Sequence, residues 1–432
     1  MIVIDDDPTG TQTVAGLRVI LRPSPSQFAD FFASNERTAW VLSNSRALGE
    51  EAAAALVSTL ADRARAAAAD AGVDLTFVLR GDSTLRGYVF AEAAALDPGA
   101  AVVFVPAFLE GGRVTRDGVH LLATEDGWVP VASTEFARDP DFAYTSVALT
   151  DWVTEVTGGR YRAVTVPSAQ LRAGGIDGFA RVLLSTHPHR VVIPDVDSSS
   201  DLAIIAGGIR AARRRGARIV VRCAASLAAV LAGSHARPLE SIRVREPGRL
   251  LVVCGSFTEA STRQLQALGA LWQDRVELAT GILLDDPDRC VRDAVATTRR
   301  RLASDGVAVV ASQRDRGSNA GREVATAVMD ALVAVVAGVA ADVDVVISKG
   351  GITSARVATD GLAASHATVI GQPLPGVALW QLARGSGHLP LVVVPGNVGA
   401  DNTLALLVAR LAPEPAQDQQ PTCGNDKAQV RP

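Results

Sequence analysis

Short runs of β-branched and other apolar residues recur along the chain, and many of them stop abruptly at a polar cluster. They read "MIVI", "LRVIL", "TAWVL", "LTFVL", "AVVFV", "RVVIP" and "RIVVR", then "LLVVC", "VAVVA", "DVVIS" and "LVVVP". Runs that are apolar throughout, rather than alternating, belong to strands covered on both faces. Between them lie Ala-rich stretches such as "EEAAAALVSTLADRARAAAADAG", which has helical composition and stops at a glycine. Buried strands joined by helical crossovers predict an α/β chain with largely parallel sheets. At 432 residues it is too long for one ordinary core, so two domains are expected. The pattern breaks at residues 234–249, "SHARPLESIRVREPGR". The expected division is therefore an N-terminal domain over 1–240 and a C-terminal domain over 248–412, with a cleft between them. The last stretch, 413–432, has almost no apolar content and reads as a disordered tail.

Charge and composition remove several function classes. A formal net charge of −4 argues against nucleic acid or an anionic membrane as the main partner, although a local Arg cluster can still hold a small anion. Cys223, Cys254, Cys290 and Cys423 show neither zinc spacing nor a disulfide framework, and no protein-held metal is expected. The longest apolar stretch is interrupted by Asp330, Asp342 and Asp344, so it reads as a buried helix and a strand, not a membrane span. The opening "MIVIDDD" lacks a signal-peptide pattern, and a cytoplasmic location is expected.

Open α/β sheets place ligands beyond the carboxyl ends of their strands, and that is where the polar clusters stand. In the first half these are Asp5-Asp6-Asp7-Pro8-Thr9-Gly10-Thr11, "SNSR" ending at Arg46, and "RGDSTLRG" from Arg80 to Gly87. Guanidiniums match carboxylates bidentately, and Asp side chains accept from hydroxyls or take up a proton; together they suit a small polyhydroxy acid. Capping and turn roles are the alternative for each cluster alone. In the second half "CGSFTEAS", "SKGGITS" and "PGNVG" are rich in Gly and hydroxyls, which suits a phosphate held against bare backbone. The standard P-loop and dinucleotide fingerprints are absent. "RRR" at 213–215 reads as a helix end, and "PAFLEGGRVTRDGVH" reads as a long polar loop carrying His120.

The ordered set "DDDPTGTQT", "DSTLRG", "PAFLEGGRVTRDGVH", "GGITS" and "PGNVG" resembles the four-carbon acid sugar kinase family, whose members include 3-oxo-tetronate, D-threonate and D-erythronate kinases. The resemblance covers residues 1 to about 412. It implies an acid-sugar-binding N-terminal domain, an ATP-binding C-terminal domain, and phosphoryl transfer to the C4 hydroxyl, with Mg²⁺ carried by ATP. Carried onto this chain, it places Asp6, Arg46, Arg80, Gly81, Asp82 and Ser83 on the sugar acid. Ser256, Gly350, Gly351, Ile352, Thr353 and Gly396 fall on the nucleotide. Family members typically carry Lys where Arg80 stands, which implies forked carboxylate binding here. Some carry an acidic residue at the position of Ile352, so a metal contact from there is not expected. Asp82 and Asp6 are the candidate bases, Asp82 first because arginines flank it. The partners expected are a sugar acid and ATP, with a homodimer left open. The rival readings are a sugar-acid aldolase or dehydratase without a nucleotide, and a non-catalytic sugar-acid sensor.

Overall fold

The computed structural model describes residues 1–242, 248–314, 322–385, 387–396 and 398–411. The expected tail at 413–432 lies outside the described residues, as does Asn397 of "PGNVG". The first half contributes strands β1 (Ile2–Asp5), β2 (Arg18–Ile20), β3 (Ala39–Leu42), β4 (Phe77–Arg80), β5 (Ala101–Val105), β6 (Arg113–Arg116), β7 (Val119–Thr124), β8 (Gly127–Pro130), β9 (Arg162–Val166), β10 (Arg190–Pro194) and β11 (Ile219–Cys223). The second half contributes β12 (Leu250–Cys254), β13 (Val276–Leu278), β14 (Val307–Ser312), β15 (Val345–Lys349), β16 (His366–Leu374), β17 (Val377–Arg384) and β18 (Gly387–Val394).

Fifteen of these strands form one sheet in the order β13-β14-β12-β15-β18-β17-β16-β2-β3-β1-β4-β11-β5-β10-β9. Both flanks are parallel, as the apolar runs predict. The antiparallel pairs lie at the junction, in the meander β16–β17–β18 and in the β16–β2 pairing. Helices cover both faces, and one buried cluster runs across both halves, linking Val3, Trp40 and Val103 to Val253, Val346 and Trp380. "RRR" does close a helix (Ser199–Arg214), and the longest apolar stretch is the helix Arg322–Val339 followed by β15.

The joint expected at residues 234–249 pairs in its first part with the sheet. Leu239 N donates to Gln372 O at 2.8 Å and Gln372 N to Arg237 O at 2.7 Å, so its first part is strapped along β16; residues 243–247 lie outside the described residues. The halves are joined by the sheet itself. Trp380, fully buried, donates through Nε1 to Thr11 Oγ1 at 2.8 Å, and Gly16 N donates to Val369 O at 2.7 Å.

The meander reverses the chain, so in a flat sheet β15 would run opposite to β1. Six strand steps separate them. At about 20–25° of twist per step the accumulated rotation is roughly 120–150°, which undoes most of that reversal. Both sets of strand ends therefore open onto one cleft.

Candidate active site

Each half presents its polar clusters at a topological switch point, where neighbouring strands lead away on opposite sides. In the first half Asp5 is in register with Leu42 and Arg80, and Arg80 with Cys223. In the second half Cys254 is in register with Lys349, and Lys349 with Val394.

Three carboxylates in a row are tolerated because each has at least one guanidinium beside it. Asp7 caps the short helix Pro8–Thr13: its Oδ1 accepts from Thr9 N at 2.8 Å, with Pro8 at the first helical position. Its Oδ2 accepts from Arg46. Arg80 Nη1 donates to Asp5 Oδ1 at 2.8 Å and lies 3.7 Å from Asp6 Oδ1. Arg222 Nη2 donates to Asp6 Oδ2 at 3.0 Å, while its Nη1 pairs with Glu92. Arg46 Nη1 lies 3.3 Å from Asp82 Oδ1, and Arg86 Nε donates to Asp82 Oδ2 at 2.9 Å, where Thr84 also donates. Arg86 Nη1 reaches Asp139 Oδ2 at 3.3 Å.

The pairing sets distinct protonation states. Burial, partly offset by Arg80 and reinforced by Asp6 and Asp7, pushes the Asp5 carboxyl up to about 7. Burial also opposes ionisation of Asp82, but Arg86 and Arg46 outweigh it and hold that carboxyl well below the usual carboxylate range. At Asp7, Arg46 and Arg80 likewise outweigh burial and lower the pKa.

Glycines make these contacts possible. A Cβ on Gly10 would sit 2.6 Å from Arg80 Nε and closer still to Asp5 Oδ2. A Cβ on Gly81 would lie 2.5 Å from Arg222 Cζ. Gly81 thus has a packing reason that is invisible in the sequence, because it depends on Arg222, which lies far along the chain and is held there by Glu92. Arg80, expected to receive a ligand carboxylate with its fork, is 5 % exposed; its Nη1 is held by Asp5 and the Asp7 carbonyl, and its buried Nε has no hydrogen-bond partner among the described residues.

The expected long polar loop at 106–120 is instead the start of a three-stranded antiparallel sheet, β6-β7-β8. His120 is buried in β7. Its Nε2 donates to Ser83 O at 2.8 Å, and Nδ1 accepts from Thr115 Oγ1 at 3.2 Å. Burial pushes its pKa down to about 4, so it is a neutral ring that fixes the Ser83 backbone.

On the opposite side, Gly350 has φ +112°, a conformation suited to glycine, and a Cβ there would lie 3.0 Å from Ser256 Cβ. Thr258 Oγ1 donates to Gly396 O at 2.9 Å, and Ser261 Oγ to Ser256 Oγ at 2.8 Å. Buried Lys349 donates to Pro395 O at 2.6 Å and Val398 O at 3.2 Å; burial pushes its pKa down to about 8. Arg314 Nη1 donates to Ser256 O at 2.7 Å.

A cavity of about 590 Å³ joins the two sides. Arg46, Arg86 and Asp139 line it from the first half; Ser256, Gly350, Ile352, Thr353 and Arg356 line it from the second. Asp82 stands directly behind Arg46 and Arg86. Asp6, Arg80, Gly81, Ser83, Gly351 and Gly396 are not among the lining residues. Among the described residues no cluster of His, Cys, Asp or Glu has metal-holding geometry, and no helix is long and apolar enough to cross a membrane.

The sequence profile of a sugar-binding N-terminal domain matches residues 1–231, and that of a nucleotide-binding C-terminal domain matches residues 251–404. The chain belongs to the four-carbon acid sugar kinase family. Solved structures of the same fold include a Haemophilus influenzae DUF1537 protein, 17% identical with TM-score 0.64, covering 95% of this chain and 100% of that one. Another is a Salmonella typhimurium LT2 protein bearing a tRNA synthase name, 18% identical with TM-score 0.65, covering 94% and 97%. A Bordetella bronchiseptica DUF1537 protein, solved with citrate as a domain-swapped dimer, is 25% identical with TM-score 0.42, covering 95% and 98%. No curated protein matches the chain. The family member described here thus pairs a sugar-binding half with a nucleotide-binding half.

Proposed function

We propose that this family member is an ATP-dependent kinase that phosphorylates the C4 hydroxyl of a four-carbon sugar acid of the threonate, erythronate or 3-oxo-tetronate type. The single observation that carries the reading is the cleft cavity, in which Arg46, Arg86 and Asp139 face Gly255, Ser256, Gly350 and Thr353 set among the apolar side chains of Phe257, Val328, Met329 and Ile352. Phosphoryl transfer asks mainly for positioning and charge neutralisation. The reading places the acid-binding domain in residues 1–240 and the nucleotide-binding domain in 248–412.

In this reading Arg46 and Arg86 orient the acid at the cavity wall, and Asp6, Arg80, Gly81, Asp82 and Ser83 shape the layer behind them. Ser256, Gly350, Gly351, Ile352, Thr353 and Gly396 bring the phosphate chain against backbone, with Lys349 and Arg314 as nearby positive charge. Mg²⁺ enters as part of the nucleotide substrate. Asp82 is ionised at neutral pH and close to the cavity, which favours it over the more deeply enclosed Asp6 as the group that takes the hydroxyl proton. Its oxygens are engaged by Arg46, Arg86 and Thr84, so it acts once the acid draws Arg86 toward itself.

The test is ADP release over a panel of four-carbon sugar acids. ADP formation that depends on one of them supports the proposal; conversion of an acid without ATP supports the aldolase or dehydratase reading instead.

A further inference from the structure

Every buried guanidinium in the acid-lined wall has a carboxylate except one. Arg80 faces Asp5 and Asp6, Arg222 faces Asp6 and Glu92, Arg46 faces Asp7 and Asp82, and Arg86 faces Asp82 and Asp139. Arg113, the first residue of β6, is only 7 % exposed and forms no ion pair with any described carboxylate. Its Nε is buried without a hydrogen-bond partner among the described residues. The guanidinium lies against two aromatic rings, 5.8 Å from the centroids of Phe108 and Phe136. Arg86, which lines the cavity, sits 5.3 Å from the same Phe136 ring.

A guanidinium does not shed its proton, so an unpaired one in the interior stands at a cost that pairing would remove. Cation–π contact offsets part of that cost but does not satisfy the donors of the fork. The groups around it point the same way. Asp82 is the nearest acidic influence, yet its oxygens already serve Arg46, Arg86 and Thr84. Its neighbour His120 is neutral and occupied on both ring nitrogens. What the pocket lacks is one carboxylate, and a planar fork accepts a carboxylate better than any other small anion except phosphate.

We propose that Arg113 is the specificity-determining residue that receives the carboxylate of the acid ligand. Arg113 does not line the cavity itself but shares the Phe136 ring with Arg86, which does, so the acid would have to enter past the partly exposed Arg86–Asp139 pair. This rests on the sugar-acid reading of the same site and deepens it: Arg113 makes the site select an acid over the corresponding polyol. Arg80, whose charge is already matched by Asp5 and Asp6, does not.

The test is thermal-shift titration, which needs no turnover, of threonate and erythronate against threitol and erythritol. Wild type is compared with Arg113→Met and Arg113→Lys. Wild type should bind an acid more tightly than its polyol. Arg113→Met should weaken acid binding about tenfold or more, on the scale of a lost charge-assisted hydrogen bond, and leave polyol binding unchanged. Its ligand-free Tm should equal or exceed that of wild type, because an unpaired buried charge has been removed. A merely structural arginine would show the reverse: a lower Tm and an undiminished preference for the acid. Arg113→Lys, which keeps the charge but not the fork, should fall between the two; if Arg113→Met does not fold, an acid preference in Arg113→Lys equal to that of wild type overturns the proposal. A wild-type protein that prefers no acid over its polyol overturns the sugar-acid reading together with it. A wild-type preference that survives in Arg113→Met overturns the role of Arg113 alone.

Discussion

The carboxylate of Asp7 lies directly against Gly351. A Cβ built on Gly351 would fall 2.7 Å from Asp7 Oδ1 and closer still to Oδ2. The third aspartate of the opening run therefore touches the first residue of the helix Gly351–Arg356, across the boundary between the two halves. Asp7 also holds Arg46, so one carboxylate connects the acid-lined wall to the glycine-lined one.

This contact changes what substitutions on the nucleotide side should do. Gly351→Ala must displace Asp7 and with it Arg46, so the KM values for both the acid and ATP should rise severalfold. The atoms nearest a Cβ on Gly396 belong to Ser256, whose Oγ lies at 3.0 Å, and to Thr258, both on the nucleotide side, so Gly396→Val should raise the KM for ATP and spare that for the acid. Steady-state kinetics of both variants against both substrates check the contrast. A Gly351→Ala enzyme with an unchanged acid KM would show that Asp7 is not coupled to the acid site.

Asp82→Asn should lower kcat about 10²-fold, the usual scale for losing a general base, while ATP binding persists. Arg46 and Arg86 would each retain another carboxylate, Asp7 and Asp139. If the acid KM rises and kcat does not change, Asp82 orients the two arginines and takes no proton.

Stability should depend on pH through Asp5. Its folded pKa, about 7, lies above the ordinary value of 3.8, so between those values the native state holds a proton that the unfolded chain has lost. Stability from this group is complete below the lower value and declines as pH rises through the upper one, with a limiting slope of about 1.4 kcal/mol per pH unit. Asp7 and Asp82 are lowered and act oppositely, losing stability only at acid pH. Urea unfolding from pH 5 to 8 should show a decline in wild type and a flatter profile in Asp5→Asn. Parallel profiles would assign the slope to another group.

Trp380→Phe removes the buried donor to Thr11 Oγ1 and should cost about 1 kcal/mol. Because that bond ties the meander to the helix that Asp7 caps, the same variant should loosen the cleft. Calorimetry with and without ATP would detect a lower Tm and a smaller ligand-induced shift; a lower Tm with an unchanged shift would make the bond purely structural.

Most of the parallel framework was legible because buried strands are apolar throughout, and the ligand-facing positions because polar clusters follow them. β16 and β17 were not, since Gly371 and Pro373 look like strand breakers. They sit where β16 shifts register against β17, at bulges where such residues are tolerated. Arg222 was hidden at the end of an apolar run, and its partner Glu92 lies 130 residues away, a pairing only the folded chain reveals. "PAFLEGGRVTRDGVH" looked like a loop because Gly111, Gly112, Asp117 and Gly118 are turn residues. They are the turns of a small sheet whose buried face carries Arg113 and His120.

The central claim is transfer of a phosphoryl group to the terminal hydroxyl of a four-carbon sugar acid. Phosphorus NMR of the reaction with MgATP and the acid giving the most ADP tests it directly. Transfer to that hydroxyl should give a new phosphate-ester signal split by the C4 methylene protons, formed only when both substrates are present. An ester at another carbon, or loss of the acid without ATP, would contradict it.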